Sequence, residues 1–254
     1  METHSFNKTG SNLDQSLLNA FIDFLNGDRS TKLYNFLYLD ALKSAKSLHT
    51  SGIRSWNKAI GNKSDYYIFS NEAALIQRAA SEIAQAAPYR PILVELGVGG
   101  EKPVAEKTLP LIHAFKPQAF VANDISNDSL AATQKVIKQN IPHSRVETCY
   151  ANFMDKDSPL LNYKGANVIL TGCTVSNITA YDGNMPVNEL VSYLKTIGQI
   201  LGDDGNLVIT QDTNQDKASL IAAYHGPFQS FFTDMLYRLK AYLGIDTFDP
   251  SALE

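Results

Sequence analysis

Two glycines and an acidic residue stand at the end of a predicted buried strand, a combination typical of a turn that holds a ligand. Residues 91–96 form a short apolar run, and Gly97 and Gly99 follow it. Glycines let the backbone turn sharply and approach a ligand, because no Cβ stands in the way. Glu95 is the only charged residue in the run, and a carboxylate there suits a cationic ligand better than a dianionic one.

Polar residues also stand where the next two predicted strands end. Asp124 lies at the end of the second predicted strand, and Asn152 follows the third. Ligands of open α/β sheets bind at the carboxyl ends of the strands. The Asp124 carboxylate can accept hydrogen bonds from both hydroxyls of a ribose, and Asn152 is placed to meet the edge of an adenine. The three strand ends together predict a site for an adenine nucleoside.

The loop sequence helps to choose among cofactors that contain adenosine. The fingerprint for nicotinamide dinucleotides requires a small residue where this chain has Lys102. A pyrophosphate also requires a helix N-terminus pressed against the loop, whereas Glu101, Lys102 and Pro103 come first here. The pattern therefore favours S-adenosylmethionine (SAM), which is a cationic sulfonium. A nicotinamide-dependent dehydrogenase and a tight turn without a ligand are the alternatives.

Strand and helix patterns alternate from residue 88 onward. Strands separated by helices of this length indicate βαβ units and a right-handed parallel sheet. We therefore predict an α/β protein with a Rossmann-like SAM-dependent methyltransferase fold, a central, mostly parallel sheet and an N-terminal helical segment. The predicted strands cover 91–96, 119–125, 145–153, 166–173 and 206–213, and the predicted helices cover 105–115, 129–140, 187–201, 219–226 and 228–244.

The N-terminal part of the chain has helical periodicity. Apolar residues recur at helical spacing between residues 11 and 49, and another short helix is predicted over 53–60. The sequence from Ser70 to Glu72 has the pattern of a helix N-terminus. We divide the chain into an N-terminal helical segment, 1–87, which contributes to the substrate pocket, and a Rossmann-like SAM-binding domain, 88–254.

Composition narrows the classes of function. The 254 residues carry a formal net charge of −4, without the dense Lys/Arg stripe that nucleic acid or an anionic membrane requires. A polar N-terminus and the absence of a run of about 18 apolar residues predict a soluble, cytoplasmic protein. Cys149 and Cys173 have no Cys or His at metal-ligand spacing. We expect no metal and two reduced thiols, with a disulfide as the alternative.

From about Gly52 to its C-terminus the chain resembles the histidine-specific N-methyltransferase family. That family includes the enzyme that trimethylates the α-amine of histidine and the fungal dimethylallyltryptophan N-methyltransferases. The similar segments follow the family's order and cover residues 65–72, 95–99, 123–126, 152–153, 171–177, 211–212, 222–225 and 236–239. The resemblance implies a SAM-dependent N-methyltransferase that acts on an amine of a small molecule, an amino acid or a related metabolite.

The same resemblance implies roles for individual residues, with S-adenosylhomocysteine (SAH) as the product. Cofactor contacts would come from Glu95, Gly97, Gly99, Asp124, Asn152, Phe153 and Thr171. Acceptor contacts would come from Asn177, Tyr224, Tyr66 and Tyr67. Amide and phenol oxygens can orient an amine lone pair without adding a positive charge, and methyl transfer needs positioning more than a strong base.

The chain departs from the family pattern in three respects, one of which is that Ser176-Asn177 replaces the family's Gly-Asn and Asn152 replaces its adenine-side aspartate. Leu48, His49 and Thr50 stand where the family has a tyrosine that serves the amine, and family members continue beyond the position of Glu254. The resemblance therefore implies that the C-terminal substrate region is missing from this chain. A protein that binds SAM or SAH without catalysis, alone or as a subunit of a larger assembly, is the alternative function. The sequence leaves the oligomeric state open.

Overall fold

The structure, a computed structural model, describes residues 52–61, 66–174, 187–225, 228–243 and 249. The helices predicted between residues 11 and 49, and the predicted acceptor residue Asn177, lie outside these ranges. The helix predicted over 53–60 is confirmed as α1, Gly52–Gly61. The domain boundary between residues 87 and 88 stays a prediction.

A parallel sheet forms the centre of the described part of the chain. Its strands are β1 Ile92–Leu96, β2 Ala119–Asp124, β3 Arg145–Tyr150, β4 Asn167–Leu170 and β5 Leu207–Ile209. These five described strands stand in the order β3-β2-β1-β4-β5, and every neighbouring pair is parallel. The chain therefore reverses its direction of travel across the sheet between β3 and β4, which confirms the predicted Rossmann-like fold.

Helices connect the strands and cover both faces of the sheet. In the described residues they are α2 Tyr67–Ala86, α3 Glu101–Pro103, α4 Leu109–Phe115, α5 Asn127–Asn140, α6 Val187–Leu201, α7 Lys217–Tyr224 and α8 Gln229–Leu243. Short 3-10 turns cover Pro159–Tyr163 and Gly172–Thr174. None of the described helices is both long and apolar enough to cross a membrane.

Several boundaries differ from the sequence prediction; β3 and β4, for example, end at Tyr150 and Leu170, each three residues early. Helix α2 begins at Tyr67 rather than after Ser70, and the Ser70 hydroxyl donates to Tyr67 O inside the first turn at 3.2 Å. Strand β5 ends at Ile209 although the predicted strand continues to 213. It stops there because β4, its partner in the described sheet, ends at Leu170 directly opposite Ile209.

Apolar side chains fill both faces of the sheet, because strand residues alternate between the faces. One face, with Leu93 and Phe120, packs against α2, α4 and α5. The other face, with Val94 and Val121, packs against α6 and a 3-10 turn. A third apolar cluster joins α1 and α2 to α8, where the Trp56 ring centre lies 5.7 Å from that of Phe231.

A π turn separates α3 from α4. It covers Val104–Thr108. Pro110 lacks the N–H that would reach the Glu106 carbonyl four residues earlier, and Gln77 Nε2 donates to that carbonyl at 3.1 Å. The wider turn places two consecutive polar residues, Lys107 and Thr108, on the buried side of the helix.

Candidate functional site

A cleft opens at the carboxyl ends of β1, β2, β3 and β4. The space between its walls, together with the solvent at its mouth, is about 850 Å³. Trp56 from α1 and Phe69 from α2 line it together with residues from the strand ends. Those residues are Gly97, Val98, Gly99, Pro103, Lys107, Asn123, Asp124, Ile125, Ala151, Asn152, Phe153, Thr171, Gly172 and Thr174. Apart from Glu95, the predicted cofactor residues therefore share one cleft.

The loop after β1 turns back across the end of β2. Gly97 N and Val98 N both donate to the carbonyl of Asn123, at 2.9 and 3.2 Å. Gly97 has a φ of 77° and Gly100 a φ of 108°, in the region that favours glycine. A Cβ on Gly100 would lie 2.5 Å from Asn57 Nδ2, so the loop also requires a glycine where α1 packs against it.

The carboxylate of Asp124 is fixed by donors from the glycine loop and from the start of α5. Gly99 N and the Ser129 hydroxyl donate to Oδ2 at 3.3 and 2.9 Å, and Ser126 N donates to Oδ1 at 3.0 Å. The Ser126 hydroxyl accepts from Ser129 N at 3.1 Å and so caps α5. Asp124 thus offers a ligand an acceptor in a fixed position at the end of β2.

Asn152 and Phe153 line the cleft just after β3. Asn152 Oδ1 accepts from Met154 N at 3.1 Å, which stabilises the turn that follows the strand. Phe153 is buried in the core on one face of the sheet. We call the cleft residues Asn123, Asp124, Ile125, Ala151, Asn152 and Phe153 the β2–β3 end, and Asp124 is its only charged member.

A group of polar residues, all buried except the partly exposed Glu72, lies beside the ends of β1 and β4, and we call it the charged cluster. It consists of Glu72, Glu95, Lys107, Thr108 and Thr171. Lys107 Nζ lies 2.9 Å from Glu72 Oε2 and 3.4 Å from Thr171 Oγ1. The hydroxyls of Thr108 and Thr171 donate to the Glu95 carboxylate at 2.7 and 3.4 Å. Thr171 therefore links the ion pair to the second carboxylate.

Glu72 also ties α2 to the ends of β4 and β5. Its Oε1 accepts from Gly172 N at 2.5 Å and from the Thr210 hydroxyl. Its other oxygen, Oε2, accepts from the Lys107 ammonium. That ammonium lies 5.6 Å from the centre of the Phe69 ring. A single carboxylate thus joins α2 to the π turn and to two strand ends.

The protein environment acts differently on the two carboxylates of the charged cluster. Burial opposes ionisation of Glu72, but the Lys107 charge and the hydrogen bond from Thr210 outweigh it and lower the pKa of Glu72. Burial dominates at Glu95 and raises its pKa to about 7, against the hydrogen bond from Thr108 and the charge of Lys107. Glu72 is therefore the ionised partner of Lys107, and Glu95 changes its charge near neutral pH.

Glu95 lies behind the cleft rather than in it. Only 1% of the residue is exposed, and it is not among the lining residues. Strand alternation turns its side chain toward the helical layer that contains the π turn, where Thr108 binds it. Its link to the cleft runs through Thr171, which both lines the cleft and donates to Glu95.

The predicted acceptor tyrosines separate into two places. Tyr66 is 4% exposed, and its ring centre lies 5.6 Å from that of Tyr224 and 4.6 Å from that of Phe228. The hydroxyl of Tyr67 donates instead to Asp212 Oδ2 at 2.8 Å. Tyr66 and Tyr224 therefore belong to an aromatic cluster with α8, whereas Tyr67 lies beside the end of β5.

A second cavity of about 810 Å³ shares Gly172 with the cleft. Lys107 lines the cleft and Glu72 lines the second cavity, so their ion pair stands between the two spaces. The other residues that line the second cavity are Tyr67, Ile68, Asn71, Leu75, Ile209, Thr210, Gln211 and Asp212. Tyr67 is thus the predicted acceptor residue that lines this cavity.

Lys107 and Asn123 line the cleft, although the sequence predicts no role for either residue. A lysine among apolar helical residues is normally solvated, and only Pro110, three residues later, indicates an irregular turn there. Asn123 stands near the end of an apolar strand that is buried on both faces. A polar side chain buried in such a strand needs a hydrogen-bond partner, and this requirement could have identified Asn123 from the sequence.

Comparison with known proteins confirms the resemblance. The sequence profile of histidine-specific, SAM-dependent methyltransferases matches residues 36–254. The 4-dimethylallyltryptophan N-methyltransferase of Epichloe festucae var. lolii is 24% identical over 188 residues, which are 68% of this chain and 51% of that protein. The N-methyltransferase fsqC of Aspergillus fumigatus is 25% identical over 203 residues, which are 75% of this chain and 52% of that protein.

A third relative is ergothioneine biosynthesis protein 1 of Neurospora crassa. It is 23% identical over 161 residues, which are 63% of this chain and 18% of that protein. The chain spans about half the length of the first two relatives.

Proposed function

The chain belongs to the histidine-specific, SAM-dependent methyltransferase family, and from this premise we propose that it transfers a methyl group from SAM to a nitrogen of a small amine. The acceptor class is an amino acid or a close derivative, as the name of the 4-dimethylallyltryptophan N-methyltransferase relative suggests. The observation that carries the proposal is the cleft, because predicted cofactor residues from four strand ends line it together.

The lining residues fit SAM in charge. Among the described residues of the cleft, Asp124 is the one carboxylate and Lys107 the one cation. Asp124 would accept hydrogen bonds from the ribose hydroxyls, and Lys107 would meet the methionyl carboxylate. Asn152 and Phe153 would contact the adenine, and the glycine loop would let the backbone approach the ligand closely.

Methyl transfer depends more on the position of the acceptor amine than on its activation by a base. SAM supplies a methyl group on a cationic sulfonium, and a neutral amine attacks it in line. Tyr67 would position that amine, while Tyr66 and Tyr224, which belong to the aromatic cluster, and Asn177 stay predicted acceptor residues. A place for the acceptor beside Gly172 is supported by the second cavity, which shares Gly172 with the cleft and presents Tyr67. The carboxylate of Asp212 also lines that cavity and would favour a molecule that bears an amine, whereas the charge of Glu72 is balanced by Lys107.

Methyl transfer from isotopically labelled SAM tests this proposal. The protein is incubated with labelled SAM and a pool of amino acids and amines, and the products are read by mass spectrometry. We expect label in one acceptor with the wild-type chain and none with Asp124→Ala. Binding of SAH without any labelled product would contradict catalysis by this chain and would support a function in cofactor binding alone.

A further inference from the structure

Helix α6 has an apolar face that the described part of the chain leaves exposed. Its inner face packs Ile197 and Ile200 into the core. On its outer face, Val191 and Leu194 are 40% and 43% exposed, and Gly198 is exposed as well. These three residues are three and four positions apart, so they lie along one side of the helix. An apolar stripe at this spacing is typical of a helix face that packs against another element.

A groove lies beside this face, and we call it the α6 groove. Its walls are α6 and the 3-10 turn Pro159–Tyr163. Leu161 of that turn and Ile197 of α6 belong to the same apolar cluster, so the core holds both walls in place. The lining residues of the groove include Leu161, Lys164, Val191, Leu194, Lys195 and Gly198.

Two glycines of the groove differ in what the fold requires of them. Gly202 follows the end of α6 with a φ of 60°, a left-handed conformation that suits glycine, and its N donates to Gly198 O at 2.9 Å. Gly198 lies inside the helix, where alanine is more stable than glycine. A Cβ there would meet no described atom within 4 Å. No contact in the described fold therefore requires this glycine, whereas a glycine lets a second backbone approach the helix closely.

Positive charge surrounds the apolar stripe. Lys156, Lys164 and Lys195 line the groove, and Asp203 is the one carboxylate among its described lining residues. Lys156 has an aspartate on either side in the sequence, but neither aspartate lines the groove. Within the described ranges, none of the three lysines forms an ion pair. The chain carries a formal net charge of −4, so this local excess of positive charge favours an acidic occupant.

An acidic amphipathic helix fits the α6 groove better than a second copy of the chain does. In a symmetric dimer the same patch meets itself, so the lysines of one groove would face those of the other, and like charges at an interface oppose binding. A helix that binds in a groove presents apolar anchors three or four residues apart, which is also the spacing of Val191, Leu194 and Gly198. Acidic residues beside those anchors would meet the lysines.

We propose that the α6 groove binds an acidic amphipathic helix of a partner protein. Its apolar anchors contact Leu161, Val191 and Leu194, its acidic residues pair with the three lysines, and Gly198 lets the two helices approach closely. This inference goes beyond the proposed function and does not depend on it, because no described residue lines both the groove and the cleft.

Fluorescence anisotropy with two synthetic peptides tests the proposal on the full chain. Both peptides are about 18 residues long and carry leucines at helical spacing on one face. One has glutamates beside the leucines, and the other has lysines in the same positions. The glutamate peptide should bind at least about tenfold more tightly than the lysine peptide. Added salt should weaken its binding, because the three lysines are exposed.

Two variants with matched controls locate the binding. Lys195→Glu should weaken binding of the glutamate peptide about tenfold, whereas Lys58→Glu makes the same change of charge on α1 and should not. Gly198→Leu should weaken binding by at least as much, because the leucine fills the place of close approach. Gly61→Leu is its control, since a Cβ on Gly61 also meets no described atom within 4 Å.

A urea titration separates loss of binding from loss of folding. Gly198→Leu should unfold at a higher urea concentration than the wild type, because leucine is the better helix former. Equal binding of the two peptides, no binding of the glutamate peptide, or unchanged binding in both groove variants would overturn the proposal. So would a wild-type dimer that Gly198→Leu dissociates in analytical ultracentrifugation, because the groove would then belong to a second copy of the chain.

Discussion

The β2–β3 end of the cleft and the charged cluster differ in how their polar groups are stabilised. At the β2–β3 end, Asp124 is bonded by Ser126 and Ser129, which follow it within five residues. The charged cluster brings Glu72 and Lys107 together from α2 and the π turn, 35 residues apart in sequence. The Asp124 carboxylate is held mainly by its sequence neighbours and by one bond from Gly99 N, whereas the ion pair of the charged cluster depends entirely on distant segments. We therefore expect substitutions in the charged cluster to affect folding and substitutions at the β2–β3 end to affect ligand binding.

Loss of the Lys107 charge should have the largest effect on stability. Lys107→Met leaves the buried carboxylate of Glu72 without its partner, and the side chains of this pair are 7% and 11% exposed. Breaking such a pair destabilises a protein by about 3–5 kcal/mol. Urea denaturation of the two proteins measures the difference in the free energy of unfolding.

A surface ion pair provides the matched control for Lys107→Met. Lys135 and Glu101 also meet at 2.9 Å, but their side chains are 61% and 57% exposed. Lys135→Met should therefore cost at most about 1 kcal/mol. The double variant Glu72→Gln/Lys107→Met should recover much of the lost stability. If Lys107→Met costs no more than Lys135→Met, the ion pair of Lys107 and Glu72 does not stabilise the charged cluster.

The pH dependence of the free energy of unfolding should reveal the ionisation of Glu95. Its pKa rises from the ordinary 4.5 to about 7 on folding, so the folded protein binds more protons than the unfolded chain between these values. Stability should accordingly fall as the pH rises through this window, by up to about 3 kcal/mol, and level off above it. The pKa of Glu72 is lowered instead. As the pH rises, the contribution of Glu72 to stability is therefore complete before this window begins.

Unfolding measured at about pH 5 and about pH 8 in the wild type and in Glu95→Gln tests this expectation. The glutamine cannot ionise, so the fall in stability between the two pH values should largely disappear. An equal fall in both proteins would show that another group causes it.

A smaller change should follow from Tyr67→Phe, which lies outside both regions. It removes the hydrogen bond to Asp212 and should cost about 1 kcal/mol of stability. The affinity for SAH should stay unchanged, because Tyr67 does not line the cleft, whereas the KM for the acceptor should rise. Tyr163→Phe, which removes a similar bond to Glu147, is the control and should leave that KM unchanged. An unchanged acceptor KM in Tyr67→Phe would remove Tyr67 from the acceptor site.

Much of the fold and of the β2–β3 end follows from the sequence. Apolar runs that end in Gly97, Asp124 and Asn152 locate three strand ends, and parallel pairing brings them to one edge of the sheet. The boundary of α2 was predicted wrongly, because Ser70 resembles an N-cap while the helix begins at Tyr67. A hydroxyl inside the first turn and one at the cap look alike in sequence.

The charged cluster could not be predicted, since no local pattern pairs Lys107 with Glu72. The π turn that buries Lys107 depends on Pro110 and on Gln77, which binds the Glu106 carbonyl from another helix. The position of Glu95 behind the cleft has a similar cause, because its partner Thr108 also comes from the π turn. The sequence predicted a role for Glu95 at the ligand site. It did not predict the direction in which the side chain points.

Binding of SAM in this cleft is tested by titrating SAH into the wild-type protein and into Asp124→Ala. We expect the wild type to bind SAH and not NAD, and Asp124→Ala to lose at least about tenfold in affinity while its circular dichroism spectrum keeps the helical signal. Equal affinity of the two proteins for SAH, or binding of NAD in place of SAH, would show that this cleft is not the SAM site.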